Sequence, residues 1–150
     1  MITYQREQLF DIRSEIEPMF YTHWMEIGAF DKEKTPLSID WDRYKILEEN
    51  DNLFMFTVRD NKKLVGYYVA FIINHMHYNQ TFCANCDIIY LDPKYRKGMI
   101  GYKLIKKSEK MLISLGVTIL VFSFKADKSL VKLMERLGYK PLDVQYYKEI

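Results

Sequence analysis

Cysteine is almost missing from this chain of 150 residues, with two in all. Two thiols cannot build the disulfide framework of a small secreted domain, so the fold has to hold by its core. Proline and glycine are sparse as well, at four and six, and there is no repeat, low-complexity segment or linker. No apolar run approaches the roughly 18 residues that a bilayer-spanning helix needs. The amino terminus, Met1-Ile2-Thr3-Tyr4-Gln5-Arg6-Glu7, lacks the charged-then-apolar order of a secretory signal. A formal charge of +2 is too small to argue for nucleic acid by itself. These absences leave a cytoplasmic protein with no membrane partner as the expectation.

Apolar residues make up 49% of the chain and charged ones 28%, the balance of an ordinary globular domain. The length fits one domain, residues 1–150, able to bury a real core. Twelve Tyr and nine Phe are expected to fill that core and one concave site, since Tyr buries its ring and keeps its hydroxyl wet.

Helical spacing covers about residues 5 to 17, with Leu9, Ile12 and Ile16 on one side, and Pro18 should end or bend the helix. Met19 to Leu37 gives no clear pattern. Ser38 or Asp40 can cap a short helix carrying Trp41, Tyr44 and Leu47. Two strand-like runs, Leu53 to Val58 and Lys63 to Ile73, flank a turn at Arg59-Asp60-Asn61-Lys62. Gly66, inside the second run, marks a bulge or a close approach. A third strand runs from Ala84 to Leu91. The next helix should bury Ile100, Leu104, Ile105, Met111 and Leu112, expose Lys103, Lys106, Lys107 and Lys110, and stop at Gly116. A strand at Thr118 to Phe124, a helix at Ser129 to Leu137 ahead of Gly138, and a last strand at Val144 to Tyr147 complete the chain.

The densest signal lies at Asp92-Pro93-Lys94-Tyr95-Arg96-Lys97-Gly98-Met99-Ile100-Gly101-Tyr102, between a buried strand and an amphipathic helix. Seven basic residues and one acid, Glu109, fall between Lys94 and Lys110. Free N–H groups and the dipole at a helix start favour an anion, and a phosphate-bearing cofactor leads the candidates.

Pro93, Tyr95, Arg96, Ile100 and Gly101, followed at the right separation by Leu137-Gly138-Tyr139, stand in an element order that resembles the GNAT superfamily of acetyl-CoA-dependent N-acetyltransferases. The resemblance covers nearly the whole chain. It implies an α/β (α+β) fold with a mixed, mostly antiparallel twisted sheet of six to seven strands, flanked by about four helices. A leading strand at Ile2 to Tyr4 would belong to it. His23-Trp24-Met25-Glu26, Pro36-Leu37, Asp40-Trp41-Asp42-Arg43-Tyr44 and His75-Met76-His77-Tyr78 also look like a branch common in tailed phages and bacteria, which would work in the host cytoplasm.

Carried over by position, the resemblance implies acetyl-CoA as the acyl donor. The amides from Arg96 through Lys97, Gly98, Met99 and Ile100 to Gly101 would cradle its pyrophosphate, with Tyr102 and Ser129 nearby. Tyr90 and Leu91 would pair with the pantetheine arm as an added strand. His23, Trp24, Glu26 and Phe30 would line the acceptor site, where Glu26 could hold a cationic amine; a surface helix end with an aromatic plug is the plainer reading of that region. Two departures stand out. The first glycine of the family turn falls on Met99, with Gly98 one place earlier. The family's usual acid tyrosine falls on Met134, which cannot protonate a thiolate.

Acetylation needs a neutral amine, a polarised thioester and a route for one proton. Asp87 is the candidate base, against a solvated strand-end aspartate. Tyr139, Tyr146 and Tyr147 are candidate proton donors, against core or surface tyrosines. His75, His77, Cys83 and Cys86 have zinc-ligand chemistry, but Cys86 beside a strand faces away from Cys83, so no metal is expected.

The reading is an N-acetyltransferase acting on an amine of a small molecule or a protein. The rival, motivated by Met99 and Met134, is a GNAT-fold CoA-binding or protein-interaction factor, phage-encoded and acting on a host protein. A nucleic-acid partner is disfavoured, because a solvated helix face explains the lysines. The sequence is silent on oligomeric state and leaves a homodimer open.

Overall fold

The computed structural model describes residues 1–28, 30–124 and 128–150. Among them one five-stranded sheet runs in the spatial order β1-β2-β3-β4-β5, made of β1 (Ile2–Arg6), β2 (Leu53–Asp60), β3 (Lys63–His75), β4 (Tyr78–Leu91) and β5 (Ile119–Phe122). The first four strands pair antiparallel, and β5 lies parallel to β4. The helices are α1 (Arg13–Ile27), α2 (Trp41–Glu49), α3 (Ile100–Ser114) and α4 (Lys128–Arg136).

Period-two alternation divides the core. Phe54, Phe56 and Val58 of β2, with Tyr68 and Ala70 of β3, pack under Leu104 and Leu112 of α3. Leu53, Met55, Tyr67 and Val69 point the other way, onto Leu9, Ile12, Ile16 and Phe20. Each fully buried aliphatic side chain of this kind contributes about 1.5–3 kcal/mol. Because both faces are covered, β2 is buried from Leu53 through Arg59. Asp40 caps α2 by accepting from the Arg43 N–H at 2.9 Å, and Trp41, Tyr44 and Leu47 lean on the α1-side core.

The expected turn at Asn61-Lys62 forms with positive φ at both residues, 47° and 73°, the geometry of a tight hairpin. Gly66 meets its expectation as a close approach: a Cβ there would lie 2.8 Å from the Tyr90 carbonyl oxygen and from Leu91.

Four expectations need correction. Residues 5 and 6 are strand, not helix: the leading strand expected over Ile2 to Tyr4 forms and runs on to Arg6, pairing with β2 from Ile2↔Asp60 to Arg6↔Phe56. The helix starts later, at Arg13, and carries Pro18 within it; Leu9, Ile12 and Ile16 are nonetheless buried together. Met111 is 36% exposed, since the buried arc of α3 is Leu104, Ile105, Ser108, Glu109 and Leu112 and leaves Met111 at its margin. Finally, Val144 to Tyr147 forms no strand, so among the described residues the sheet has five strands rather than six or seven. That tail runs exposed, with the Tyr147 ring 5.6 Å from Phe30 and the Glu149 carboxylate accepting from the Asp31 N–H at 3.2 Å.

Candidate active site

The site grows from an irregularity in β4. Val69 pairs with Ile88 and Ala70 with Cys86, so Asp87 has no residue opposite it. Such a bulge lets neighbouring side chains share a face. Cys86 joins the core beneath α3, whereas Ile88 and Tyr90 pack on the α1 side. Asp87 acts electrostatically on Tyr44 of α2 as well as on Cys86; burial first, and then the Asp87 charge, push the Tyr44 hydroxyl up to about 12. Asp87 keeps contact with solvent, yet desolvation raises its carboxyl above the ordinary aspartate value. A raised carboxyl is a better proton acceptor than a free one.

Beside the bulge, β4 and β5 part company. Their paired rungs run from Cys83↔Ile119 to Cys86↔Phe122, and the last contact is a long one, from the Ser123 N–H to the Cys86 carbonyl at 3.5 Å. β5 ends there while β4 continues to Leu91. From Asp87 onward no described residue pairs with the β5-side edge of β4, which can offer its backbone groups to an extended ligand.

The open edge leads to the basic turn. Asp92 accepts from the Lys94 N–H at 2.9 Å, Pro93–Tyr95 forms a single 3-10 turn, and the Tyr95 hydroxyl donates to Asp60 at 3.2 Å. Gly98 then takes φ +84°, with open space where a Cβ would stand. Backbone conformation, not crowding, requires glycine there. Helix α3 begins after Met99 without a side-chain cap, leaving its first N–H groups outward. Met99 is 54% exposed, Lys97 is exposed and Ile100 half-buried. A Cβ on Gly101 would touch only Leu91, at 3.7 Å, and Tyr102 lies at the surface.

Of the expected acceptor residues, the structure draws two toward this centre. His23 is buried, its Nδ1 2.8 Å from the Tyr67 hydroxyl and its ring 5.0 Å from that of Tyr90. Glu26 forms a two-pronged ion pair with Arg96, with Nη2 to Oε2 at 2.7 Å. Trp24 instead sits under the Lys32 ammonium at 5.5 Å, and Phe30 packs on the carboxy-terminal tail.

The expected proton donors fare less well. Tyr146 is 93% exposed and belongs to no element. Tyr139 lies against Phe122, ring centres 6.1 Å apart, with a buried hydroxyl that finds no well-formed hydrogen-bond partner among the described residues. Burial, reinforced by Glu109, pushes that hydroxyl well above the ordinary tyrosine value, which makes it a poorer acid. Met134 is buried. The side chain of Ser129 lies outside the described residues. Cys83 and Cys86 are buried and free, while His75 and His77 face each other in the β3–β4 hairpin. Among the described residues no three His, Cys, Asp or Glu side chains gather as a metal site. Tyr44 was missed as a site residue, because its helical spacing signals burial and nothing in it points to Asp87.

A family model described as the acetyltransferase (GNAT) family matches residues 8–139. Among solved structures, an aminoglycoside acetyltransferase from an uncultured soil metagenomic sample, in complex with sisomicin, aligns at TM-score 0.75 with 16% identity, over 99% of this chain and 96% of that one. A ribosomal-protein-alanine N-acetyltransferase from Brucella melitensis biovar Abortus 2308 aligns at 0.76 with 16% identity, over 100% and 98%. A predicted acetyltransferase from Clostridium acetobutylicum, crystallised with acetyl-CoA, aligns at 0.75 with 12% identity, over 99% and 96%. At these identities the likeness is one of fold. A comparison with curated proteins gave no match.

Proposed function

Because this chain belongs to the GNAT family of acetyltransferases, we propose that it passes the acetyl group of acetyl-CoA directly to an amine, with Asp87 as the base. The observation that carries this is the open edge of β4, running from the bulge at Asp87 to the uncapped start of α3. Acetyl-CoA supplies an electrophilic thioester carbon together with amides and phosphates by which it can be held. The residues present fit those demands. The backbone from Ile88 to Leu91 offers strand pairing to the amides of the pantetheine arm. The turn through Gly98 and the first N–H groups of α3 offer donors to the pyrophosphate, with Lys97 adding charge.

Asp87, raised by desolvation, takes the proton that the amine must lose. The nitrogen–carbonyl bond forms as the carbon–sulfur bond breaks, and the departing thiolate takes a proton from solvent. Tyr139 does not serve as that donor, because its hydroxyl is a weaker acid than a thiol. Cys86 is no nucleophile: burial pushes its thiol far up, and it faces the core under α3. Transfer is therefore direct, without an acylated enzyme.

The acceptor is an amine on a small molecule or a protein. Two of the structural neighbours act on an aminoglycoside and on a ribosomal protein by their descriptions, which spans both classes. We place the protein in the phage and bacterial branch and in the cytoplasm; no helix among the described residues is long and apolar enough to cross a membrane. The rival reading, a scaffold that has lost its chemistry, is not favoured by the family match.

Labelled acetyl-CoA incubated with an amine panel should yield an acetylated product, and Gly101→Glu should abolish it by filling the pyrophosphate site. No heat of binding for CoA in calorimetry would sink the proposal.

A further inference from the structure

The guanidinium of Arg96 is engaged through all three of its nitrogens. Both of its NH2 groups hold the Glu26 carboxylate, and its Nε donates to the Leu91 carbonyl at 2.7 Å. Its central carbon stands 5.5 Å from the centre of the Tyr90 ring. Glu26 comes from the end of α1, 70 residues away in sequence. The cation that opens the basic turn is thus already neutralised, and the last carbonyl of the open β4 edge is already bonded. Yet the pair is accessible, with side-chain exposures of 41% and 36%. Exposed pairs exchange partners at little cost. A phosphate presents the same two-oxygen fork to arginine as a carboxylate does.

We propose that Glu26 is a built-in competitor of the cofactor. The pyrophosphate of acetyl-CoA displaces it from Arg96, and the released carboxylate becomes the cation-binding group of the acceptor site. This inference rests on the acetyl-CoA reading above. It assigns the acceptor a positive charge near the reacting amine, and it couples the two ligands: each binds better when the other is present, by the same factor.

A double-mutant cycle in CoA calorimetry tests it. Glu26→Gln should bind CoA about fivefold more tightly than the wild type, the size expected for a half-exposed ion pair. In an Arg96→Gln background the same substitution should change nothing. Equal tightening in both backgrounds would mean simple charge repulsion and overturn the competition. A second readout needs no variant. Hydrogen bonding from Arg96, with the charges of Arg96 and His23, outweighs desolvation and holds the Glu26 carboxyl below the usual range. Titrated by carbon NMR, it should move back toward that range when CoA is bound; if it stays low, Glu26 has not been displaced. With CoA present, spermidine should bind several-fold more weakly to Glu26→Gln than to wild type, and equal binding would overturn the cation-binding role. A wild-type protein that binds no CoA would instead overturn the acetyltransferase reading itself.

Discussion

His23 and Tyr67 meet with Nδ1 and hydroxyl oxygen 2.8 Å apart, both side chains buried. The bond ties α1 to β3 beneath Tyr90, whose ring stacks on Tyr67 at 5.7 Å. His23 therefore holds the floor of the site rather than forming its open wall. Tyr67→Phe should cost about 1–2 kcal/mol, since the ring is kept and one buried polar contact is lost. Urea denaturation measures this; an unchanged midpoint would mean the contact contributes nothing.

Asp87 links activity and stability in opposite senses. Its carboxyl titrates above the ordinary aspartate value because burial disfavours its charge. The folded protein thus binds that proton more tightly than the unfolded chain does. The resulting stabilisation is complete below the ordinary aspartate range and is lost as pH rises through the raised value. Asp87→Asn should be more stable than wild type at pH 7, with the gain vanishing in acid. Its kcat should fall by about 10²–10⁴, the range for loss of a general base. A variant that is fully active would remove Asp87 from the mechanism.

Arg59 belongs to a separate network and is a matter of stability. It is nearly buried, and it spans the Glu7 and Glu15 carboxylates as well as the Lys62 carbonyl. Burial alone would raise the Glu7 carboxyl, but hydrogen bonds from Arg59 and Thr57 outweigh it and hold the group below the usual value. That stabilisation is present above the ordinary glutamate range and is lost as pH falls through the lowered value. Arg59→Met should cost about 3–5 kcal/mol at pH 7 by leaving two carboxylates facing each other. The deficit should shrink in acid, and a pH series of thermal melts will show whether it does.

The two glycines of the basic turn should answer differently to alanine. Gly98, at φ +84°, should lose about 1–2 kcal/mol on Gly98→Ala through backbone strain. Gly101, with ordinary contact distance to Leu91, should accept alanine without loss. Thermal melts of the pair decide which glycine the fold requires. A neutral Gly98→Ala would show that the left-handed turn is not fixed.

Much of this was legible in the sequence because local rules dominated. Asp40 capped α2 as a short polar side chain should, Asn61-Lys62 made the hairpin, and Gly66 marked where β4 comes close. The basic turn and Leu137-Gly138-Tyr139 led to the family. What escaped was settled by distant partners. Residues 5 and 6 carry helix-compatible spacing, but pairing with β2 overrode it. The apolar alternation around Val144 reads as strand, yet the tail docks on Phe30 and Asp31 instead. The electrostatic coupling of Asp87 to Tyr44 and the ion pair of Glu26 with Arg96 join separate elements, and no local pattern encodes them.

The missing partner of Asp87 in β3 makes β4 a strand with two phases. Upstream of it, even-numbered Ala84 and Cys86 look toward α3; downstream, even-numbered Ile88 and Tyr90 look the other way. Asp87 is the supernumerary residue between those phases: without it Ile88 would follow Cys86 directly, opposite Val69 and Ala70, and each side chain would keep the face it has now. The packing of the strand does not need this residue. What the insertion adds is a kink and an outward carboxylate.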